Sequence, residues 1–597
     1  MFNNKEEYRM PNTFEINKLR EPEGLAGAIS EKFVSWENSK DRWYRNAKET
    51  LENLYATSTH DIYNQIHEYD NSTHIPKLTQ IRDMLVTYYL DAMFSLPDYV
   101  DWEAYDYESI DVNTRNTIKA VAKQMVEDSQ FKPTIRELVE DYVDYGNAFA
   151  TVTNVNETLD DTIIYNGPKA IRINPLDIFF DPLATSFERS PKIIRTILTL
   201  GELQADAELL PDNAEEYKKA LSKAIEKRSE IRNTIATIQP ENIIDDMCNI
   251  AGMGYWSTYY NSDTVELLTF YGDLYDIDAN KLHRNTRIVV MDRSYVLLEE
   301  PIKNYGFNSN IFKAGWRDRK DNLWSMSPLD NIKGMQFMVD FLENKRADVF
   351  NYISNPTIVK KGDVEMPENV YPGCEIGVDV DGDVSFIRPD ATALQADLYV
   401  DRYLTLMEEM AGTPREAMGF RTPGEKTAFE VSQLNTASSR LFNEKVRKFE
   451  LEMLEPLMTM MLRIYMNSPT RTTKVREKLD DGTVLFTEVS LDQLTANGRL
   501  VAMGSNTYTE KARMAQTLMQ LYNSGVVSDA LVFNYFDPKI IAKILTYTTG
   551  LDNWKGILKD NARTHAELEA RMVGEQAQQQ LEEAQVRGIQ NAQQGVM

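Results

Sequence analysis

Cysteine is almost missing from this chain. Its 597 residues include two, Cys248 and Cys374, and neither sits in a CxxC pair. A disulfide framework is therefore excluded, and a reducing compartment is the expected setting. Histidine is nearly as scarce, with five copies: His60, His67, His74, His283 and His565. The first three are spaced seven and seven apart, which is not a common zinc spacing, so polar surface is expected there rather than a metal site. No apolar run reaches the roughly 18 residues that a membrane-crossing helix needs, so no membrane contact is expected. The opening MFNNKEEYRM lacks the basic flank and apolar stretch of a signal peptide, and none is expected. Positive charge is also in deficit, with 65 Lys and Arg against 92 Asp and Glu, a net of −27. That balance argues against a broad basic face gripping nucleic acid. It leaves room for a wall that DNA passes without sticking.

What remains is an ordinary globular composition, 42% hydrophobic. The length suggests about four domain-sized units at roughly 150 residues each. Residues 15–145 read as helical, with helices through Ser30–Tyr55, from Pro76 to Met93, from a cap at Asn113 to Met125, and from Pro133 to a stop at Tyr145-Gly146. The period then changes to two. Ala148, Ala150 and Val152 alternate with Phe149, Thr151 and Thr153, and short strands follow at Thr162–Tyr165, Ala170–Ile173, Ile178–Phe180 and Lys192–Leu198, punctuated by Pro168, Pro175, Pro182 and Pro191. Glu202–Ile235 reads as a charged helix or helix pair, 236–262 as irregular, and Thr264–Tyr271 and Thr286–Glu299 as strands. No Rossmann alternation or solenoid repeat is present. The fold class is α+β, mainly helical.

The centre is the most patterned region. Ser327-Pro328-Leu329-Asp330 has Ser at the N-cap, Pro at N1 and an acid in the first turn, and opens a helix to Ser354 with an apolar stripe of Met335, Met338, Leu342 and Val349. A small β insert spans 356–390, with a turn at Asp381-Gly382. A second helix over 391–411 places Val400, Leu404, Met407 and Ala411 on one face. A breaker-rich loop, 412–426, precedes a long helix from Thr427 towards Asn467, which Pro456 should kink. Val475–Val489 reads as a hairpin turning at Asp481-Gly482. The tail over 571–597 holds eight Gln, and reads equally as a frayed end or as a helix that needs identical neighbours.

Catalytic signatures are sparse. Gly419 to Thr427 imitates a phosphate loop, but Glu425 is inserted before Lys426 and places a carboxylate where an anion would sit. Pro414 and Pro423 each remove a backbone donor. The acidic pairs Asp160-Asp161, Asp245-Asp246 and Asp480-Asp481 have no His or third acid at a helpful spacing. Neither GxSxG nor HExxH occurs. No enzyme activity and no cofactor are expected. Met453, Met458, Met460, Met461 and Met466 read foremost as helical core, and secondarily as a subunit contact able to re-pack.

Four segments, in this order, resemble a tailed-bacteriophage portal (head–tail connector) protein of the podovirus-like kind. They are Tyr145-Gly-Asn-Ala-Phe149; Asn174-Pro-Leu-Asp-Ile-Phe-Phe-Asp-Pro182 followed by Ser190-Pro-Lys-Ile-Ile; Ser327-Pro-Leu-Asp330; and Gly412-Thr-Pro-Arg-Glu-Ala-Met-Gly419 with Arg421-Thr-Pro-Gly-Glu-Lys-Thr-Ala428. The resemblance implies a wing within 1–326, a first stem helix at 327–355, a clip at 356–390 and a second stem helix at 391–411. It further implies a tunnel loop at 412–426, an inner wing helix and hairpin over 427–508, and a crown over 509–597. It implies a ring of about twelve subunits at one capsid vertex of the virion, assembled in the host cytoplasm. Such a ring conducts double-stranded DNA during packaging and ejection. Its partners would be terminase, then the neck adaptor and tail, with the major capsid and scaffold proteins. The tunnel loop would turn Arg415, Arg421 and Lys426 towards DNA. The competing reading is an NTPase or nuclease subunit that processes nucleic acid.

Overall fold

The computed structural model describes residues 13–16, 22–55, 73–94, 99–105, 112–159, 162–209, 215–234, 256–276, 280–303, 305–354, 357–365, 376–378, 380–387, 397–411, 442–467, 474–478, 484–488 and 498–502. These residues mix helices with antiparallel sheets, an α+β arrangement. The chain forms two compact units: Met1–Ala92 with Met125–Arg471 and Gly498–Leu500, and Met93–Gln124 with Thr472–Asn497 and Val501–Met597.

In the first unit, β1 (Thr13–Ile16), α1 (Pro22–Tyr55) and α2 (Lys77–Phe94) lead to α3 (Phe131–Asp144). Then come β2 (Asn147–Leu159), β3 (Thr162–Ile173), β4 (Ile178–Phe180) and β5 (Lys192–Thr199). Helices α4 (Leu200–Leu209), α5 (Glu215–Thr234) and α6 (Trp256–Asn261) precede β6 (Thr264–Asp276), β7 (Lys281–Met291), β8 (Tyr295–Pro301) and β9 (Ile311–Gly315). The larger sheet runs β4-β5-β6-β7-β8, with β1 added parallel to the end of β6; the smaller runs β9-β2-β3.

The larger sheet is covered on both faces, and the period of two along β6 shows how. Leu268, Phe270 and Leu274 face α1, where they meet Leu25, Ile29 and Phe33. Val265 and Leu267 face the opposite way, onto Leu203, Ala207 and Leu221 of α4 and α5. Each such side chain contributes about 1.5–3 kcal/mol by leaving water. The same double burial explains β2: Ala148, Phe149 and Ala150 are all fully buried, so the alternation there separates small from large residues, not inside from outside.

Several boundaries differ from the sequence reading, each for a physical reason. Pro133 sits in the first turn of α3, two residues past its start at Phe131. First-turn amides have no intrahelical partner, so proline is harmless there. Pro168 lies inside the continuous strand β3, which is the edge of its sheet, where a missing donor costs nothing. The stretch Thr286–Glu299 is two strands. They turn at Asp292 and Arg293, both with positive φ (49° and 58°). Non-glycine residues pay about 1–2 kcal/mol for that conformation. Two ion pairs offset it: buried Asp292 accepts from Arg228 at 2.7 Å and from Tyr259, and Arg293 is bidentate on Glu266 at 2.6 and 2.9 Å. Strands at Thr13–Ile16, Val100–Ala104 and Ile311–Gly315 were not legible. Near Pro456 the helix over 442–467 makes a π turn, Glu450–Leu454, with the Glu455 amide bonded to the Glu450 carbonyl. The wider turn accommodates the proline that follows. Met453, Met458, Met460 and Met461 are all buried, as core.

In the second unit, Lys474–Lys478 and Val484–Glu488 pair antiparallel, as the hairpin reading expects. Trp102 is buried there, and Asp101 pairs with Lys119 at 3.2 Å.

One buried cation pins α1 to the β3–β4 connection. Lys40 Nζ donates to the carbonyls of Pro175, Leu176 and Ile178 at 2.7, 2.8 and 2.9 Å. The rings of Trp43, Tyr44, Phe179 and Trp324 surround it at 4.5–4.9 Å. Burial pushes its pKa down, but three carbonyl acceptors match the three donors of an ammonium and hold the proton. Lys40→Met should lower the unfolding free energy by about 3 kcal/mol or more, because three buried acceptors lose their donor. Urea denaturation checks this against exposed Lys48→Met, expected to stay within about 0.5 kcal/mol of the parent.

Candidate functional site: a two-helix arm, its root and its outer face

Three of the four motif segments meet in space. Gly146 closes α3 with φ of +70°, and a β-carbon there would lie 2.4 Å from the Met326 carbonyl carbon. The chain passes over it because only glycine fits. Next to it, Asn147 clamps the same crossing segment. Its Oδ1 accepts from the Ser325 amide at 2.9 Å, and its Nδ2 donates to the Ser325 carbonyl at 3.0 Å. Two residues on, Ser327 Oγ donates to the Val143 carbonyl at 2.7 Å and accepts from the Leu329 amide at 2.9 Å. Asp330 completes a capping box by accepting from the Ser327 amide at 2.9 Å. The segment 174–182 joins this root through Trp324, which stacks on Phe180 at 4.7 Å, and through the Leu323 amide on the Pro182 carbonyl at 2.8 Å.

From the root rises an arm. A single 3-10 turn, Leu329–Asn331, precedes α7 (Lys333–Ser354), so the α-helix proper has 22 residues and is shorter than the 327–354 expectation. The insert follows as β10 (Thr357–Lys361), β11 (Val364–Glu365), β12 (Gly377–Val378) and β13 (Asp383–Ile387). They form two two-stranded ladders, β10 with β13 and β11 with β12. The second helix, α8 (Asp397–Ala411), lies against α7 and buries Val400, Met407 and Ala411.

The arm is inverted relative to an ordinary amphipathic helix. The buried positions of α7 are Lys333, Gln336, Val339, Asp340, Asn344 and Asp348, five of six polar. The expected stripe of Met335, Met338, Leu342 and Val349 is only half-buried. The reason is the inner partner of α7, which is polar backbone and not a sheet face. Gln336, Asp340 and Asn344 bind the main chain of Thr73, Ile75 and Leu78 at 2.6–3.1 Å. Lys333 Nζ binds Asn46 and Thr50 of α1. Lys77 reaches Glu408 of α8 at 2.5 Å, a nearly buried ion pair. The signal was present in the sequence as polar residues every fourth position, 336, 340, 344 and 348, and was passed over in favour of the methionines.

Exposed apolar side chains nonetheless concentrate in the arm and its insert. Of sixteen large hydrophobic side chains exposed among the described residues, eight fall between 350 and 411: Phe350, Tyr352, Val359, Val378, Val380, Leu398, Tyr399 and Met410. Exposed apolar side chains gathered in this way are a feature of surfaces that bind other proteins.

Arg415, Arg421 and Lys426 lie outside the described residues, as do the crown at 509–597 and the acidic pairs. A cleft of about 610 Å³ opens beside the π turn, lined in part by Phe312, Lys313, Asp318, Leu451 and Glu452. Burial lowers the Lys313 pKa to about 8, and its charge faces Asp318 at 3.9 Å. Among the described residues no set of three His, Cys, Asp or Glu is arranged around a metal position, and no helix is long and apolar enough to cross a membrane.

Replacing Phe350, Leu398 and Tyr399 together by Ser should leave the urea midpoint of the monomer nearly unchanged, since all three side chains are already in water. It should raise the concentration needed for self-association at least tenfold, measured by sedimentation velocity. No family model matches the chain, and no curated protein matches it.

Proposed function

We propose that this chain is the subunit of a portal-like ring at a phage capsid vertex, a conduit for DNA and a docking platform for terminase and then the neck adaptor and tail. The observation that carries the reading is the inverted arm: its polar face is consumed inside the subunit, and its apolar face is left for other copies. A helix, a β insert and a second helix, rooted where the Tyr145 and Ser327 segments cross, support assignment as stem, clip and stem. Heterologous contacts of one face with the next copy close into a ring when the rotation permits. The net charge of −27 per subunit suits a bore that repels DNA and lets it slide. In this reading the insert at 356–390 is the clip, and Arg415, Arg421 and Lys426 of the tunnel loop approach passing phosphates.

Size decides first. Light scattering of the purified protein should give a closed assembly, about 820 kDa for twelve copies of 68.6 kDa; a strict monomer at tens of micromolar would refute the ring. Affinity decides next. Linear duplex DNA should bind more weakly than about 1 µM at physiological salt, and the same sample should show no DNA-stimulated ATP hydrolysis, which the NTPase reading requires. Arg415→Glu with Arg421→Glu should impair packaging and leave ring assembly intact, measured by packaged genome length and by light scattering.

A further inference from the structure

The insert between the two arm helices is unusually acidic. Residues 356–390 hold eight Asp and Glu against three Lys and Arg, a net of −5 in 35 residues, roughly three times the density of −27 in 597 for the whole chain. Four of these acids, Asp363, Glu365, Asp381 and Asp383, are described and exposed, and none is held in an ion pair. The fold gathers them. Gly362 makes the corner between β10 and β11 at φ of +78°, and a β-carbon there would lie 2.8 Å from the Asp381 carbonyl oxygen. The corner at 361–363 therefore touches the corner at 381–382, and Glu365 follows opposite Gly377 in the β11–β12 ladder. Of the two described lysines, Lys361 stands opposite Asp383 and Lys360 opposite Val384, so the acids stay in excess. Apolar side chains are exposed among these charges: Val359, Val378 and Val380 at 39, 50 and 97%. Along Val378-Asp-Val-Asp-Gly-Asp-Val384, valine and acid alternate.

We propose that the insert is a docking surface for a basic segment with interspersed apolar side chains, carried by a different protein. The sign of the charge selects this occupant. A nucleic acid or an anionic lipid surface would bring phosphates against exposed carboxylates, and both bind through clustered cations that the insert lacks. A second copy brings the same acidic insert and its own net of −27, so insert against insert sets like charges face to face. A cationic segment is attracted by every one of the four carboxylates. Its apolar side chains cover valines that are otherwise in water, which neither a polyanion nor a purely charged chain would do.

Two consequences follow from the exposure of the site. Carboxylates in water are screened by salt and act mainly on the rate and selectivity of encounter, so the contact is salt-sensitive and reversible. Charge alone does not complete it, because the valines add a part of the binding that salt does not screen. This inference deepens the docking role proposed above and rests on it, by naming the chemistry of what docks. It does not depend on closure of a ring.

The probe is a short fluorescent peptide of alternating Lys and Leu, titrated with the full chain at physiological salt and read by anisotropy. Reversal of the four insert acids, Asp363→Lys, Glu365→Lys, Asp381→Lys and Asp383→Lys together, should weaken binding at least tenfold. Four reversals at exposed Asp206, Glu215, Glu216 and Glu226 of α4 and α5 change the net charge equally and should leave it within threefold. Val378→Ser with Val380→Ser, or a peptide of alternating Lys and Ser, should each weaken it at least threefold. Equal weakening by both sets of reversals means that the peptide reads net charge alone and overturns the proposal. Photoreactive forms of the peptide, of duplex DNA and of phosphatidylserine vesicles are then mapped on the parent by mass spectrometry. The peptide alone should label 356–390. Labelling there by DNA or lipid, or peptide labels confined elsewhere, overturns the proposal even if the reversed variant fails to fold. Light scattering on the same samples separates docking from assembly. Insert-dependent binding to strictly monomeric protein supports the docking surface and refutes the ring. A closed ring without such binding refutes the docking surface alone, and a ring that the insert reversals dissociate makes a second copy the occupant and overturns it as well.

Discussion

No β-carbon can be placed at position 146, and the rest of the first unit is arranged around that fact. The chain leaves α3 there in a left-handed conformation and passes within contact of the backbone at Met326 and Ser327. Everything that follows Ser327 takes its starting point from this crossing. Asn147 fixes the height of the crossing segment, and Ser327 fixes the direction of the helix start by binding Val143 on one side and Leu329 on the other. A capping side chain usually ends a helix locally. Here the same hydroxyl ties the helix start to a different helix end, so arm and body cannot be repositioned independently at the root.

The inversion of the arm follows from what its inner face touches. A helix laid on a sheet buries aliphatic residues, as α1 does with Leu25, Ile29 and Phe33. A helix laid on an irregular strap meets unpaired amides and carbonyls, and each left unpaired would cost about 1–3 kcal/mol. Side-chain amides at every fourth position answer both donors and acceptors of the strap, which one aliphatic stripe could not. Hydrophobic residues of α7 such as Phe350 and Tyr352 are thereby left exposed. Polar specificity inside and unsatisfied apolar area outside are two consequences of one packing choice.

Much of the fold was legible because local chemistry decided it. Gly146, the Ser327 cap, Ile178–Phe180 and the hairpin flanking Asp481-Gly482 were read from turn and cap chemistry that works on neighbours in sequence. What failed required tertiary knowledge. Pro168 is tolerated because β3 is an edge, and edges are not visible in a linear pattern. The turn at Asp292-Arg293 lacks glycine, and its support comes from Arg228 and Glu266, far away in sequence. The arm was found, but its buried face was assigned to methionines, because hydrophobic periodicity assumes an apolar inner partner. His74 looked like an isolated surface histidine, since its partner Asp340 lies 266 residues further on.

The scarcity of basic residues acquires a second meaning in the structure. Lys40 and Lys192 are both buried and both bind carbonyl oxygens instead of carboxylates. Burial lowers the Lys192 pKa to about 7, so near neutral pH about half of its charge is withdrawn. Arg228 and Arg293 are committed to the buried acids Asp292 and Glu266, which removes equal charges of both signs. Among the described residues buried Asp and Glu outnumber buried Lys and Arg, so burial takes up part of the acidic excess without reversing the chain's net of −27. A polyanion approaching the described surface therefore meets net repulsion. Any attraction must come from basic residues gathered locally.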